Sequence, residues 1–328
     1  MMNILLTGAT GFLGYRTLEE LIEISYVSKI IATGRLLIPS RKINHKKVEY
    51  ILGDLSEESF VNRLIQNIDI IINTASLSSP WGSFKQFHLA NIKTQKNLIK
   101  ASKKSKIERI IYISSASIYY NGEDRKMVRE NYPLPRKFVN NYAKTKRQAE
   151  ILLEESGVKY IIIRPRAIIG RGDSVIMPRL IKAYSLGKLK IIGDGKNIVD
   201  LTSVQNVTNA ILLSLNANEN ACNEAYNITD GKPVYLWHYI NKVFKGIGKE
   251  EINSNINFNI AYYIAYIMEI SAKYLTKKEP SLTRYSVGIL SKNFTLDISK
   301  AKRLLNYKTH ITTEKSMNEF IKWHKQNE

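Results

Sequence analysis

The amino-acid sequence predicts an α/β protein, a doubly wound parallel sheet with helices on both faces and a smaller lobe interleaved with it toward the C-terminus. Three observations predict this. Short β-branched runs alternate with longer helical patterns through the first half of the chain, as strands joined by crossover helices do. Several runs, such as Ile70-Ile71-Ile72 and Ile161-Ile162-Ile163, are apolar without alternation, which fits strands buried on both faces. A glycine-rich turn over residues 8–14 joins the first strand to the first helix.

In chain order, strands are expected at residues 3–7, 29–33, 48–52, 69–73, 109–114 and 159–164. Helices are expected from about Gly11, over 84–104, and over 140–156 with Gly157 as the stop. Beyond Pro165 the pattern becomes irregular, with Gly170, Gly172, Gly187, Gly193 and Gly195 marking loops. The segment 256–275 is rich in apolar and tyrosine residues, yet too short and too interrupted to read as a bilayer span. We read it as a helix capping an apolar pocket, with peripheral membrane contact and a plain core or dimer helix as the alternatives.

Composition narrows the class of function. The formal net charge of +20 raises the question of nucleic acid, but residues 1–160 and 161–328 carry +10 each. An even spread is the mark of a solvated surface, not of a binding arm, so no nucleic-acid partner is expected. Cys222 is the only cysteine, which permits no internal disulfide and points to a reducing compartment. The N-terminal apolar run has no basic region before it and reads as a strand, not a signal peptide. The expected location is cytoplasmic.

The turn Thr7-Gly8-Ala9-Thr10-Gly11-Phe12-Leu13-Gly14 leaves a strand and opens a helix. Free N–H groups and the positive helix end can hold a dinucleotide pyrophosphate there, while glycines let the backbone come close. Residues 1–165, with a returning segment at about 198–230, are therefore assigned to a Rossmann dinucleotide-binding domain. Residues 166–197 and 231–328 are assigned to a substrate-binding lobe. At the end of the second strand an acidic residue would accept bonds from the ribose of NAD. The chain has Gly34-Arg35 instead, and Arg35 can pair with a 2′-phosphate. NADP is the preferred cofactor, with NAD as the other candidate. Asp54-Leu55 and Asn73-Thr74-Ala75 follow the third and fourth strands, on the same rim. Asp54 is suited to an adenine amino group or to capping the next helix.

Tyr142 and Lys146 stand one helical turn apart. A nearby ammonium favours the phenolate, so Tyr142 is expected to exchange a proton with an alcohol or ketone, and the same ammonium can bond a ribose. The spacing is cheap among 19 tyrosines. It recurs at Tyr184 with Lys188 and at Tyr274 with Lys278, but only Tyr142 follows a strand ending in hydroxyls, Ser114-Ser115. Ser115 is the better candidate to hold the substrate oxygen. Neither a serine-hydrolase motif nor a metal-ligand spacing is present, and no metal is expected.

Together these features resemble the extended short-chain dehydrogenases, over nearly the whole chain. Residues 114–119 and 282–285 make the 3β-hydroxysteroid dehydrogenase branch the most similar part of that superfamily. The resemblance implies that Asn91 supports the active site and that the loop from Pro165 to Ile168 borders the nicotinamide. It also implies reversible hydride transfer to or from a small, lipophilic substrate of hydroxysteroid or β-keto acyl type, and pairing as a homodimer. Ser203 and Gln205 depart from the pattern. A nucleotide-sugar epimerase with retained NAD and a non-catalytic NADP-binding redox sensor are the competing readings.

Overall fold

A computed structural model describes residues 1–327. Seven parallel strands form its main sheet: β1 Met2–Thr7, β2 Val27–Thr33, β3 Val48–Tyr50, β4 Ile70–Asn73, β5 Arg109–Ile113, β6 Tyr160–Pro165 and β7 Glu224–Ile228. Their order is β7-β6-β5-β4-β1-β2-β3. The order reverses between β1 and β4, and at that switch point the carboxyl ends of the strands open a crevice.

The unbroken apolar runs are fully buried because helices cover both faces. Ile4 and Leu6 of β1 face one core with the helices α1 (Phe12–Leu21) and Val204–Leu215. Leu5 between them faces the other core, with the helices Glu58–Leu64, Thr94–Lys104 and α2 (Asn141–Glu154). Each such side chain contributes about 1.5–3 kcal/mol by leaving water.

Two differences from the sequence reading have simple causes. The third strand ends at Tyr50 rather than at residue 52, since it is an edge strand paired only with β2. The seventh strand, not among the six expected, carries Glu224 and Asn227 in an edge position, so its apolar signature is diluted.

Outside this sheet, Val234–Tyr235, Ile198–Val199, Phe294–Leu296 and Arg125–Val128 form a four-stranded sheet in that order. It joins a segment of the first half to the C-terminal region. A separate core of Trp237, Ile240, Val243, Phe244, Val287 and Phe320 lies among the helices of the second half.

The helix Phe258–Ser271 packs through Ala261 and Ala265, which are buried. Small residues four apart let it approach closely along one stripe. Ile260, Tyr263, Ile264 and Ile267 are exposed. Among the described residues, no helix is long and apolar enough to cross a membrane.

Candidate active site

The glycine turn forms the floor of the crevice. Gly8 has φ +68°, and a Cβ there would lie 2.7 Å from Ala75 N. A Cβ on Gly14 would run into the Gly8 carbonyl. The turn is therefore built for close backbone approach, and α1 starts after Gly11 with no side-chain cap on its N-terminus, leaving N–H groups for an anion. Phe12 and Leu13 are buried in the first turn. Thr10 lies against Gly34. This cradle fits a dinucleotide.

Around it, Thr7 Oγ1 donates to Asn73 Oδ1 at 2.7 Å, Asn73 Nδ2 donates to Gln95 at 2.7 Å, and Thr74 Oγ1 donates to the Thr7 carbonyl at 2.7 Å. The Asn73-Thr74-Ala75 segment is thus locked to β1 beside the glycine turn. Asp54 is exposed and its Oδ1 accepts from Ser56 N at 2.8 Å, so one carboxylate oxygen serves the turn before Glu58–Leu64, while Leu55 is buried. Arg35 is exposed just past β2. Arg41, which the sequence did not single out, donates to the carbonyls of Thr10 (3.3 Å) and Gly172 (3.4 Å). It places a second guanidinium over the glycine turn.

Tyr142 lies in the first turn of α2, which is capped by Asn140 accepting from Ala143 N at 2.8 Å. The hydroxyls of Ser115 and Ser78 neighbour its phenol and favour its ionised form. Ser115 precedes the short turn Ala116–Tyr119 and accepts from Ser117 N at 3.2 Å, whereas Ser114 Oγ is buried without a hydrogen-bond partner. Ser115 and not Ser114 reaches Tyr142. Ser78 carried no sequence signal, because only the folded loop after β4 brings it there.

The electrostatics differ from expectation. Burial raises the Tyr142 pKa, with the neighbouring Ser115 and Ser78 hydroxyls pulling the other way. Lys146 does not lower it in this arrangement. Its ammonium donates to the Ile113 carbonyl at 2.6 Å and sits 4.8 Å from the Tyr112 ring. Burial brings Lys146 down to about 7, opposed by Glu150. For both groups, loss of water outweighs the attraction that the one-turn spacing suggested.

Glu150 continues the column at Tyr142 and Lys146, two turns on from Tyr142 and fully buried. It binds Arg164 of β6 through both oxygens, at 2.8 and 3.0 Å, and Arg164 donates to Tyr119 Oη at 2.6 Å. The i, i+4, i+8 spacing was a signal available in the sequence.

Asn91 lies in a π-helical stretch, His88–Lys93, between Phe84–Phe87 and Thr94–Lys104. Its Oδ1 accepts from Leu77 N (2.9 Å) and Ser76 Oγ (3.1 Å), and its Nδ2 donates to Thr145 (3.0 Å). It ties the loop after β4 to α2 without touching Tyr142 through any of these bonds. Pro165 ends β6, and Ile168 starts a short strand paired with Thr202–Ser203.

The other two Tyr-x-x-x-Lys pairs are not brought together in this way. Tyr184 packs on Phe244 in a helix that ends at Ser185, before Lys188. Tyr274 is exposed, and the turn containing it ends before Lys278.

The model for the 3-beta hydroxysteroid dehydrogenase/isomerase family matches residues 5–259. The chain is 27% identical to a decarboxylating sterol-4-alpha-carboxylate 3-dehydrogenase of Candida albicans, over 98% of this chain and 97% of that one. It is 29% identical to a 2-alkyl-3-oxoalkanoate reductase of Shewanella oneidensis, over 95% and 83%. A UDP-glucuronic acid 4-epimerase of Bacillus cereus, solved with NAD, shares the fold at a TM-score of 0.76 and 23% identity, with 99% of each chain covered. With the glycine cradle at the switch point and Tyr142, Ser115 and Lys146 gathered beside it, the chain belongs to the 3-beta hydroxysteroid dehydrogenase/isomerase family, a branch of the extended short-chain dehydrogenases.

Proposed function

We propose that this enzyme catalyses reversible hydride transfer between NADP and a secondary alcohol or ketone on a lipophilic small molecule. The observation that carries the reading is the gathering of the Ser115 hydroxyl beside the Tyr142 phenol, with Lys146 held on the same helix against the Ile113 carbonyl. Residues 8–14 would hold the pyrophosphate, with Arg35 on the 2′-phosphate, Asp54 and Leu55 near the adenine, and residues 73–75 along the rim. Lys146 would bond the nicotinamide ribose, with Pro165 and Ile168 beside the ring. When bound, the nicotinamide supplies or accepts the hydride.

In the direction of reduction, Tyr142 Oη gives its proton to the carbonyl oxygen as negative charge develops there, and Ser115 Oγ–H holds that oxygen. A raised phenol pKa keeps the proton on Tyr142 until it is needed. Ser78, beside the same phenol, is placed to hand a proton in from outside, since the residue is exposed. Asn91 keeps α2 in register with the loop after β4.

The substrate class follows from the relatives, which are named for sterol and alkyl-oxoalkanoate substrates. A lipophilic substrate also suits the exposed apolar face of Phe258–Ser271, beside Lys273, Lys277 and Lys278. We infer that this face rests on an anionic lipid surface.

The test is Tyr142→Phe, measured as NADPH oxidation with a 3-oxo acid and as NADPH binding. Turnover should fall by about 100-fold or more, the scale of a lost general acid, with binding retained. Substantial residual turnover would remove Tyr142 from the chemistry.

A further inference from the structure

Lys146 has to carry its charge in an enclosed place without an ion pair. It is 2% exposed, and its ammonium donates to the Ile113 carbonyl at 2.6 Å. Glu150 is the carboxylate one turn along the same helix, but Arg164 engages both of its oxygens, at 2.8 and 3.0 Å, and Arg147 donates to one of them at 3.0 Å. Two guanidiniums thus share the negative charge that would otherwise serve the lysine. The other surrounding groups bring no anion. Tyr142 is on the same helix, Tyr112 is on β5, Arg164 lies on β6 behind Glu150, and Tyr119 of the turn Ala116–Tyr119 is bound to Arg164. The buried residues of Thr94–Lys104 carry no charge.

Tyr112 meets the ammonium directly. Lys146 Nζ lies 4.8 Å from the centroid of its ring, where an aromatic face attracts a cation, most strongly with water excluded. The ring is fixed in place. Tyr112 is 1% exposed, stands opposite Asn73 in the β4–β5 ladder, and shares a core with Leu98, Ala149 and Leu153. Burial, with Glu150 and Tyr142 nearby, pushes its phenol up, so the ring faces Lys146 as a neutral group and not as a phenolate. Its Oη is sealed from solvent without a hydrogen-bond partner. The face of the ring, not the hydroxyl, is therefore the part that acts.

An ammonium has three N–H donors. The Ile113 carbonyl takes one and the ring face draws a second. We propose that Tyr112 is a positioning residue of the reaction, whose ring seats the Lys146 ammonium and leaves its third N–H for the nicotinamide ribose. This rests on the hydride-transfer reading above and adds a residue that the reading leaves unused. A lysine is charged below its pKa, so loss of a group that favours the cation moves its titration toward acid. Burial already brings Lys146 down to about 7, which puts such a change within reach of measurement.

Carbon-13 NMR of the cofactor-free full chain, labelled at the lysine ε carbon, tests this, with Lys146→Met identifying the Lys146 signal by its loss. Tyr112→Leu should lower the Lys146 midpoint by about one pH unit, the scale of an enclosed cation–π contact. Tyr112→Phe, which keeps the face, should move it by no more than about 0.3 unit. Trifluorophenylalanine in place of Tyr112 keeps the shape and withdraws charge from the face; it should behave as Tyr112→Leu does, and it stands in if that variant melts early. Read as NADPH binding, the same shift should make Tyr112→Leu about tenfold weaker than wild type at pH 8 and within about threefold of it at pH 6. An unmoved midpoint when the face is removed or drained, or an equal fall in Tyr112→Phe and Tyr112→Leu, overturns the assignment. An unmoved midpoint with NADPH affinity lowered equally at every pH would be the mark of packing alone and also overturns it. A midpoint that moves while NADPH affinity does not follow takes Lys146 off the ribose, so that part of the hydride-transfer reading fails while the seat of the ammonium stands.

Discussion

Arg35 carries the proposed preference for NADP, by charge. At the end of β2 the chain offers Gly34 and an exposed guanidinium, where a carboxylate would otherwise receive ribose hydroxyls and repel a 2′-phosphate. Arg41 adds a second cation over the same turn, held by the Thr10 and Gly172 carbonyls. Replacing Arg35 with Asp should therefore lower the ratio of kcat/KM for NADPH over NADH by about tenfold or more, through loss of a charge-assisted pair and gain of a like charge. Steady-state kinetics with both cofactors measures it, and a wild type that selects NADH by tenfold would end the NADP assignment. Lys146 shows the same scale from the other side. Buried against the Ile113 carbonyl and brought down to about 7, it carries a charge that its enclosure disfavours and that Glu150 supports.

Two helices show how an element turns sequence pattern into function. In α2, Tyr142, Lys146 and Glu150 share one face, and the π-turn in the neighbouring helix directs Asn91 onto Thr145. Such bulges re-aim one side chain without breaking the helix. The helix Phe258–Ser271 does the opposite and keeps its large apolar residues outside, packing on alanines. With lysines just beyond it, this face has the composition of an interfacial helix. Sedimentation with vesicles should show binding to membranes containing anionic lipid and much less to neutral ones. Ile264→Glu with Ile267→Glu should lower the bound fraction by about tenfold or more, since each change removes exposed apolar area and adds repulsion. Equal sedimentation of the double variant would remove the membrane from the account.

Over the whole molecule, Glu150 and Arg164 link α2 to β6, and Arg164 carries the link to Tyr119. Tyr119 donates to Asn227 of β7 at 3.0 Å. Glu150→Gln leaves Arg164 charged and enclosed without its counter-ion, so it should cost about 3–5 kcal/mol of stability. Chemical denaturation checks this, and a loss under about 1 kcal/mol, the scale of an exposed pair, would mean that water reaches Arg164.

Local chemistry made most of the main sheet legible. Runs such as 70–72 and 161–163 can be buried on both faces only in a parallel sheet, and Gly8 and Gly14 are required where backbone meets backbone. The spacing of Tyr142 and Lys146 was equally visible, because i to i+4 pairs share a helix face wherever a helix forms. The sequence alone determined these features, since each depends on neighbours within a few residues. The sequence also singled out one of three Tyr-x-x-x-Lys pairs, and Ser115 over Ser114, by their place after the strand that ends in hydroxyls; tertiary structure decided where the other two pairs go, one lysine lying beyond its helix and the other beyond its turn. It also decided that Ser78 comes to the phenol, that Arg41 lies over the glycine turn, and that burial raises the Tyr142 pKa. These depend on groups distant in the chain and on loss of water, and desolvation is a property of the packed molecule that no local spacing encodes.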